Sequence, residues 1–67
     1  MSYTLEAVLD TTITEVILDA TSDEEAVMDA IGVIMDNAYA DKSGPWALGK
    51  ITLTDPSGNI LQSMAAK

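Results

Sequence analysis

One stretch of the chain constrains the fold more than any other, residues 22–41 (SDEEAVMDAIGVIMDNAYAD). Thr21 and Ser22 are each followed three residues later by a glutamate, so either could close a capping box at a helix start. Asp23 and the two glutamates after it place negative charge in the first turn, where the helix dipole favours it. Residues 42–45 (KSGP) end the pattern. The stretch therefore predicts an amphipathic helix of about five turns.

The apolar residues of this helix predict which side faces the core. Five recur at helical spacing and are expected to form the core stripe: Val27, Ala30, Ile31, Ile34 and Ala38. Met28, Met35 and Tyr39 widen that stripe on one flank, either as the edge of the core or as an interface. An acidic row, Glu25, Asp29 and Asp36, runs along the other side, with Gly32 beside it.

Alternating and branched residues on both sides of the helix predict four strands. These are residues 2–10, 13–20, 47–55 and 60–64. The clearest turn is the segment 55–59 (DPSGN), Trp46 is expected to pack over the end of the core, and residues 65–67 are expected to fray. The element order predicts an α+β fold, β-β-α-β-β, with a four-stranded, antiparallel-rich sheet and the helix (about 22–41) on one face.

A chain of 67 residues has room for one domain, residues 1–67, and contains neither cysteine nor histidine. Chains this short often rely on disulfides, metals or oligomerisation, so self-association, most simply a homodimer, is the expected support. A single helix layer covers one sheet face only, which leaves apolar residues on the other face, Leu48 and Leu61 among them. The residues predicted to self-associate are Val8, Ile13, Ile17, Met28, Gly32, Met35 and Tyr39.

Charge is unevenly distributed along the chain. The chain contains three lysines and 11 Asp and Glu residues, which gives a net charge of −8. All acids except Asp55 lie in residues 1–41, which contain no lysine or arginine. A field of this sign repels nucleic acid and anionic membranes and attracts a basic partner. The simpler interpretation, that the acids only keep a small protein soluble, stays open.

The residue types present exclude several kinds of chemistry. Without Cys or His, one chain cannot form a Cys–His pair, a Ser–His–Asp triad or a zinc site built on those ligands. The sequence has no Gly-rich phosphate loop, no leader-like N-terminus and no apolar run near the roughly 18 residues of a membrane span. We therefore expect a cytoplasmic, non-enzymatic protein without cofactor, metal or catalytic residues.

Residues 51–61 (ITLTDPSGNIL) run from a strand through an Asp-x-x-Gly turn into another strand. Together with the hairpin–helix–hairpin layout, this segment resembles small bacterial and phage domains of unknown function. In size and charge the chain is also similar to small acidic phage proteins that inhibit host machinery, anti-CRISPR proteins among them. The resemblance implies a layout and transfers no activity or site residue.

Two functions follow as hypotheses. In the first, the protein is an interaction domain whose acidic surface contacts a basic patch of another protein, with carboxylates where phosphates would otherwise sit. The residues predicted to bind are Glu6, Glu15, Asp19, Glu25, Asp29 and Asp36. In the second, the protein is a structural or assembly subunit that packs against itself through the open sheet face or the Met28–Tyr39 helix flank.

Overall fold

The computed structural model describes residues 2–65 and shows a four-stranded sheet with one long helix. The elements are β1 (Tyr3–Leu9), β2 (Thr12–Leu18), α1 (Asp23–Ala40), α2 (Pro45–Leu48), β3 (Lys50–Thr54) and β4 (Ile60–Ala65). All neighbouring strands are antiparallel, in the order β2-β1-β3-β4. The predicted α+β fold with one main helix is confirmed. The fraying predicted for residues 66 and 67 lies outside the described residues.

The first hairpin turns within two residues. Leu9 pairs with Thr12, so only Asp10 and Thr11 form the connection. Asp10 has a φ of 56°, in the left-handed region that aspartate tolerates better than most side chains. From Tyr3 to Ala7 every second residue of β1 is buried, which is the period expected of a strand with one face on the core.

The second hairpin is organised by one carboxylate. The Asp55 Oδ1 atom accepts hydrogen bonds from the backbone N–H groups of Ser57 at 2.9 Å and Asn59 at 2.8 Å. Gly58 supplies the positive φ of 93° that the turn needs. The predicted turn at residues 55–59 is therefore present.

A bulge shifts the register of β4. Leu53 pairs with Gln62 whereas Thr54 pairs with Ile60, so Leu61 is the extra residue. Leu61 is half-buried and packs against the core under α1. The prediction that placed Leu61 on the open sheet face is wrong, because a bulge resets the inward and outward alternation.

Residues 45–48 form a short helix, α2, whereas the third strand was predicted to begin at residue 47, directly after a loop. Pro45 occupies the first turn of α2, where its missing N–H costs no hydrogen bond. Trp46 is buried, as predicted, whereas Leu48 lies on α2 and not on the open sheet face. A Cβ at Gly49 would overlap the carbonyl oxygen of Val8, so this position requires glycine for close packing of α2 against β1.

The core lies between the sheet and α1. Its buried residues are Tyr3, Leu5, Ala7, Leu18, Ala20, Ala26, Ala30, Trp46, Ile51 and Leu53. The two buried residues of α1 are alanines, Ala26 and Ala30, whose small side chains let the helix sit close to the strands. Ile31 was predicted in the core stripe but is 50% exposed, because the Ala26–Ala30 side faces the sheet and turns Ile31 outward.

Candidate interaction surfaces

The sheet separates the six predicted partner-binding acids. Glu6 and Glu15 sit directly opposite each other in the β1–β2 register, out of phase with the buried residues and so on the face away from α1. Glu25, Asp29 and Asp36 lie on α1 and are exposed. Asp19 is exposed just beyond the end of β2. The six acids therefore belong to different surfaces and do not form one patch.

Glu25 has a structural task at the start of α1. Its Oε1 atom accepts hydrogen bonds from the Thr21 backbone N–H at 2.7 Å and from the Thr21 hydroxyl at 3.2 Å. The Glu25 backbone N–H in turn donates to Ser22 Oγ at 3.2 Å. Ser22 is thus the N-cap, and the glutamate reaches one residue further back than in the usual capping box.

A second carboxylate of the first turn ties the helix to the sheet. The Tyr3 hydroxyl donates a hydrogen bond of 2.6 Å to Asp23 Oδ1. This hydrogen bond, together with burial and the charges of Asp23 and Asp55, raises the pKa of Tyr3 to about 12. Asp23 and Glu25 therefore stabilise the fold, and Glu25, which is exposed, also carries its charge at the helix surface.

The acidic row (Glu25, Asp29 and Asp36) follows one line along α1. At 100° per residue its members fall within about 40° of one another, and about 16 Å separates its ends along the axis. Within residues 2–65 the structure gives the carboxylates of Asp29 and Asp36 no hydrogen bond. The fold therefore does not depend on a hydrogen bond of either carboxylate.

The outward face of α1 carries a second feature, which we call the outward stripe. Its members are Met28, Ile31, Gly32, Met35 and Tyr39, which fall within about 100° around the helix. Met28 is 72%, Met35 65% and Tyr39 81% exposed. The sequence left open whether this flank is core edge or interface; the structure places it in solvent, nearly opposite the buried alanines.

The open sheet face, the side of the sheet turned away from α1, is also partly apolar. Ile13 is 63% and Ile17 59% exposed, and Val8 pairs with Ile13 across the hairpin. The Glu6–Glu15 pair lies between these apolar residues, at the middle of the hairpin. Directly opposed like charges destabilise a sheet, so this face holds an unfavourable charge pair at its centre.

Two shallow grooves flank the first turn of α1. One, of about 450 Å³, lies between α1 and β4 and is lined by Val27, Met28 and Leu61 with polar residues around them. The other, of about 540 Å³, contains Asp19, Asp23 and Asp55 beside Tyr3. Within residues 2–65 no three acidic side chains are grouped so that they could hold a metal ion.

Among residues 2–65, none of the helices has the length and apolar character needed to cross a membrane. Comparison of the chain with protein-family models, with curated proteins and with solved structures finds no match. The exposed surfaces of the fold are therefore the basis for assigning a function.

Proposed function

We propose that this protein is a non-enzymatic interaction domain that binds a basic surface of a partner protein through the acidic row of α1. The single observation that carries the proposal is the placement of Asp29 and Asp36. Both carboxylates are exposed and aligned on the helix, and neither takes part in a hydrogen bond within residues 2–65. We assign the action to the cytoplasm, in the manner of phage or bacterial accessory and inhibitor proteins.

The electrostatics of the chain favour such a partner. With a net charge of −8, the field repels nucleic acid and attracts lysine- and arginine-rich surfaces. The acidic row concentrates this field along about 16 Å of a rigid helix, and carboxylates in that arrangement suit a basic surface that would otherwise contact phosphates. Association through exposed charges of this kind weakens steeply as salt rises.

Two charge-matched variants test the proposal. Glu25→Gln, Asp29→Asn and Asp36→Asn together neutralise the acidic row; Gln keeps the oxygen that accepts from Thr21. Glu6→Gln, Glu15→Gln and Asp19→Asn together neutralise the acids elsewhere. Each triple variant changes the net charge from −8 to −5, so only the location of the lost charge differs.

The measurement is binding to a lysine-rich peptide and to proteins captured from the host, at low and at moderate salt. We expect the acidic-row variant to lose most of the binding and the other variant to retain it. Equal loss in both variants would show a response to net charge alone. Binding that is insensitive to salt would contradict the proposal.

A second function, assembly through self-association, is favoured by a different observation. The outward stripe of α1 exposes four large apolar side chains around a glycine, and nothing in the described chain covers them. A soluble monomer seldom leaves a continuous apolar strip of this length in water. Self-association through this strip is compatible with partner binding, because the acidic row lies about 90° away from it around the helix.

A further inference from the structure

The outward stripe lacks a partner within the chain, and Gly32 lies at its middle. A Cβ built on Gly32 would meet no atom within 4 Å beyond the adjoining backbone of its own helix. Glycine in an exposed helix interior is less favourable than alanine because it loses more backbone entropy on folding, and no contact of the described chain offsets that loss. A bare helix surface at this point allows another helix to approach closely.

The outward stripe has an internal symmetry. The midpoint of α1, between Ile31 and Gly32, is also the midpoint between Met28 and Met35. When two copies of α1 run antiparallel about this midpoint, Ile31 lies beside the partner's Ile31, Gly32 lies beside the partner's Gly32, and Met28 faces the partner's Met35. The two isoleucines then pack against each other at the centre, the two bare glycine positions let the helices approach closely, and flexible thioethers pack on both sides.

We propose that a second copy of this chain covers the outward stripe, as an antiparallel homodimer whose two-fold axis passes between Ile31 and Gly32. This inference rests on the second proposed function, self-association, which it makes specific, and it stands without the first. A pairing confined to one helix face is smaller than the roughly 800 Å² per partner of a standard interface, so the dimer is reversible and depends on concentration.

Charge complementarity selects the antiparallel orientation. The Lys42 Nζ atom lies 5.6 Å from the centroid of the Tyr39 ring, so a positive charge sits at the end of the outward stripe. In the antiparallel pair, Tyr39 faces the partner's Glu24, in the acidic first turn of the other α1. A parallel pair would instead set the two acidic first turns, each with Asp23, Glu24 and Glu25, side by side.

The open sheet face is a poorer surface for a second copy. A dimer through that face would bury Glu6 and Glu15 of both copies, four carboxylates, whereas the register adds only Lys50, beside Val8, to this face in each copy. At least two carboxylates would therefore be removed from water without a partner, which is strongly unfavourable. The outward stripe has no charged member and keeps the acidic row at its side, and Glu24, at the end of the pair, lies opposite the partner's Tyr39 with the partner's Lys42 beside it.

The dimer also brings the acidic rows of its two copies to one side. The two-fold axis is perpendicular to both helices and to the line that joins them, so the rows of both copies lie on the same side. Six carboxylates then form one surface, twice the size of that of a single chain. This arrangement makes the dimer stronger when added salt screens the repulsion, whereas binding of a basic partner becomes weaker. The two associations respond to salt in opposite directions, so failure of one is distinguishable from failure of the other.

Sedimentation equilibrium of the isolated chain, from micromolar to millimolar concentration, tests the dimer with a matched pair of variants. Ile31 is 50% and Ile17 59% exposed, so neither substitution removes a buried core side chain. We expect Ile31→Glu to raise the dissociation constant at least about 100-fold, because each copy would bury a charge at the interface, and Ile17→Glu to leave it unchanged within about threefold. A wild-type monomer throughout the range, or dissociation caused by Ile17→Glu instead, overturns the proposal.

Gly32→Gln keeps the test independent of misfolding. Glutamine is a better helix former than glycine and has free space in the single chain, so the unfolding midpoint of the dilute protein should rise. The same side chain would separate the two helices where the bare Gly32 positions of both copies meet, so the dissociation constant should rise about tenfold. A variant that is more stable and dimerises as well as the wild type would contradict the proposed packing.

Discussion

The outward face of α1 and the open sheet face both expose branched or flexible apolar side chains, but they differ at their centres. The helix face has a glycine there, with empty space above it. The sheet face has two glutamates directly opposite each other. Equal apolar exposure therefore does not make two surfaces equally fit to be covered: what lies between the apolar residues decides.

The largest expected effect comes from adding volume where α2 packs against the sheet and not on the open helix face. Gly49→Ala places a methyl group against the carbonyl oxygen of Val8, in the strand behind the open sheet face. We expect a loss of about 3 kcal/mol in the free energy of unfolding, since the atoms that the methyl group meets, the carbonyl oxygens of Val8 and Pro45, belong to packed backbone. Urea unfolding measures it. A loss below about 0.5 kcal/mol would mean that α2 moves away from β1 freely.

A second prediction concerns the hydrogen bond from Tyr3 in β1 to Asp23 in α1, which links the sheet to the helix. The pKa of Tyr3 is raised from 10.0 to about 12 in the folded protein, so the protonated phenol stabilises the fold below pH 10, and this contribution is lost as the pH rises towards 12. The thermal unfolding midpoint should fall over that range.

Tyr3→Phe provides the control for this pH dependence. Its midpoint is expected to be lower than that of the wild type at neutral pH, and the difference should shrink between pH 10 and 12. Parallel curves for the two proteins across the alkaline range would show that Tyr3 does not carry the effect.

The third prediction is a gain in stability on the helix face. Gly32→Ala should raise the free energy of unfolding of the dilute chain by about 0.5–1 kcal/mol, because alanine loses less backbone entropy and meets no neighbour. Chemical denaturation at a protein concentration below the dissociation constant of the dimer measures this gain. A loss of stability would indicate that Gly32 has a contact within the chain, and the helix face would no longer be the emptier of the two.

The smallest effect tests the charge pair at the centre of the sheet face. Glu15→Lys turns a like-charge pair with Glu6 into an opposite-charge pair and should stabilise the fold by about 0.5 kcal/mol. Adding Glu6→Lys restores a like-charge pair and should cancel the gain. Urea unfolding of the single and double variants at low salt is the measurement; additive gains in the double variant would mean that the two side chains do not interact.

The parts of the fold that sequence patterns predicted correctly have strong local signals. The capping residues and acidic first turn located α1, and the alternation beginning at Tyr3 located β1 and its buried face. The helix α2 was missed because its single turn (Pro45–Leu48) is too short for a periodic pattern. The strand order and the β4 bulge depend on long-range pairing, which short patterns do not record.

The surfaces were harder to predict than the elements. Apolar residues occupy so much of the circumference of α1 that hydrophobicity alone could not choose its inward side, and Ile31 was assigned to the core. The inward side is instead determined by the close packing of Ala26 and Ala30. The opposition of Glu6 and Glu15 follows from the two-residue turn at Asp10 and Thr11 and could have been found once that turn length was known.

The antiparallel helix pair can be measured directly, because the chain has no cysteine of its own. Met28→Cys and Met35→Cys chains, mixed and oxidised gently, should form a disulfide between the two variants, since these positions face each other across the axis. Met28→Cys alone should cross-link poorly, because its two copies would lie about 10 Å apart along the helices, beyond the roughly 7 Å limit for a disulfide. Efficient cross-linking of Met28→Cys alone, or none in the mixture, would contradict the antiparallel dimer.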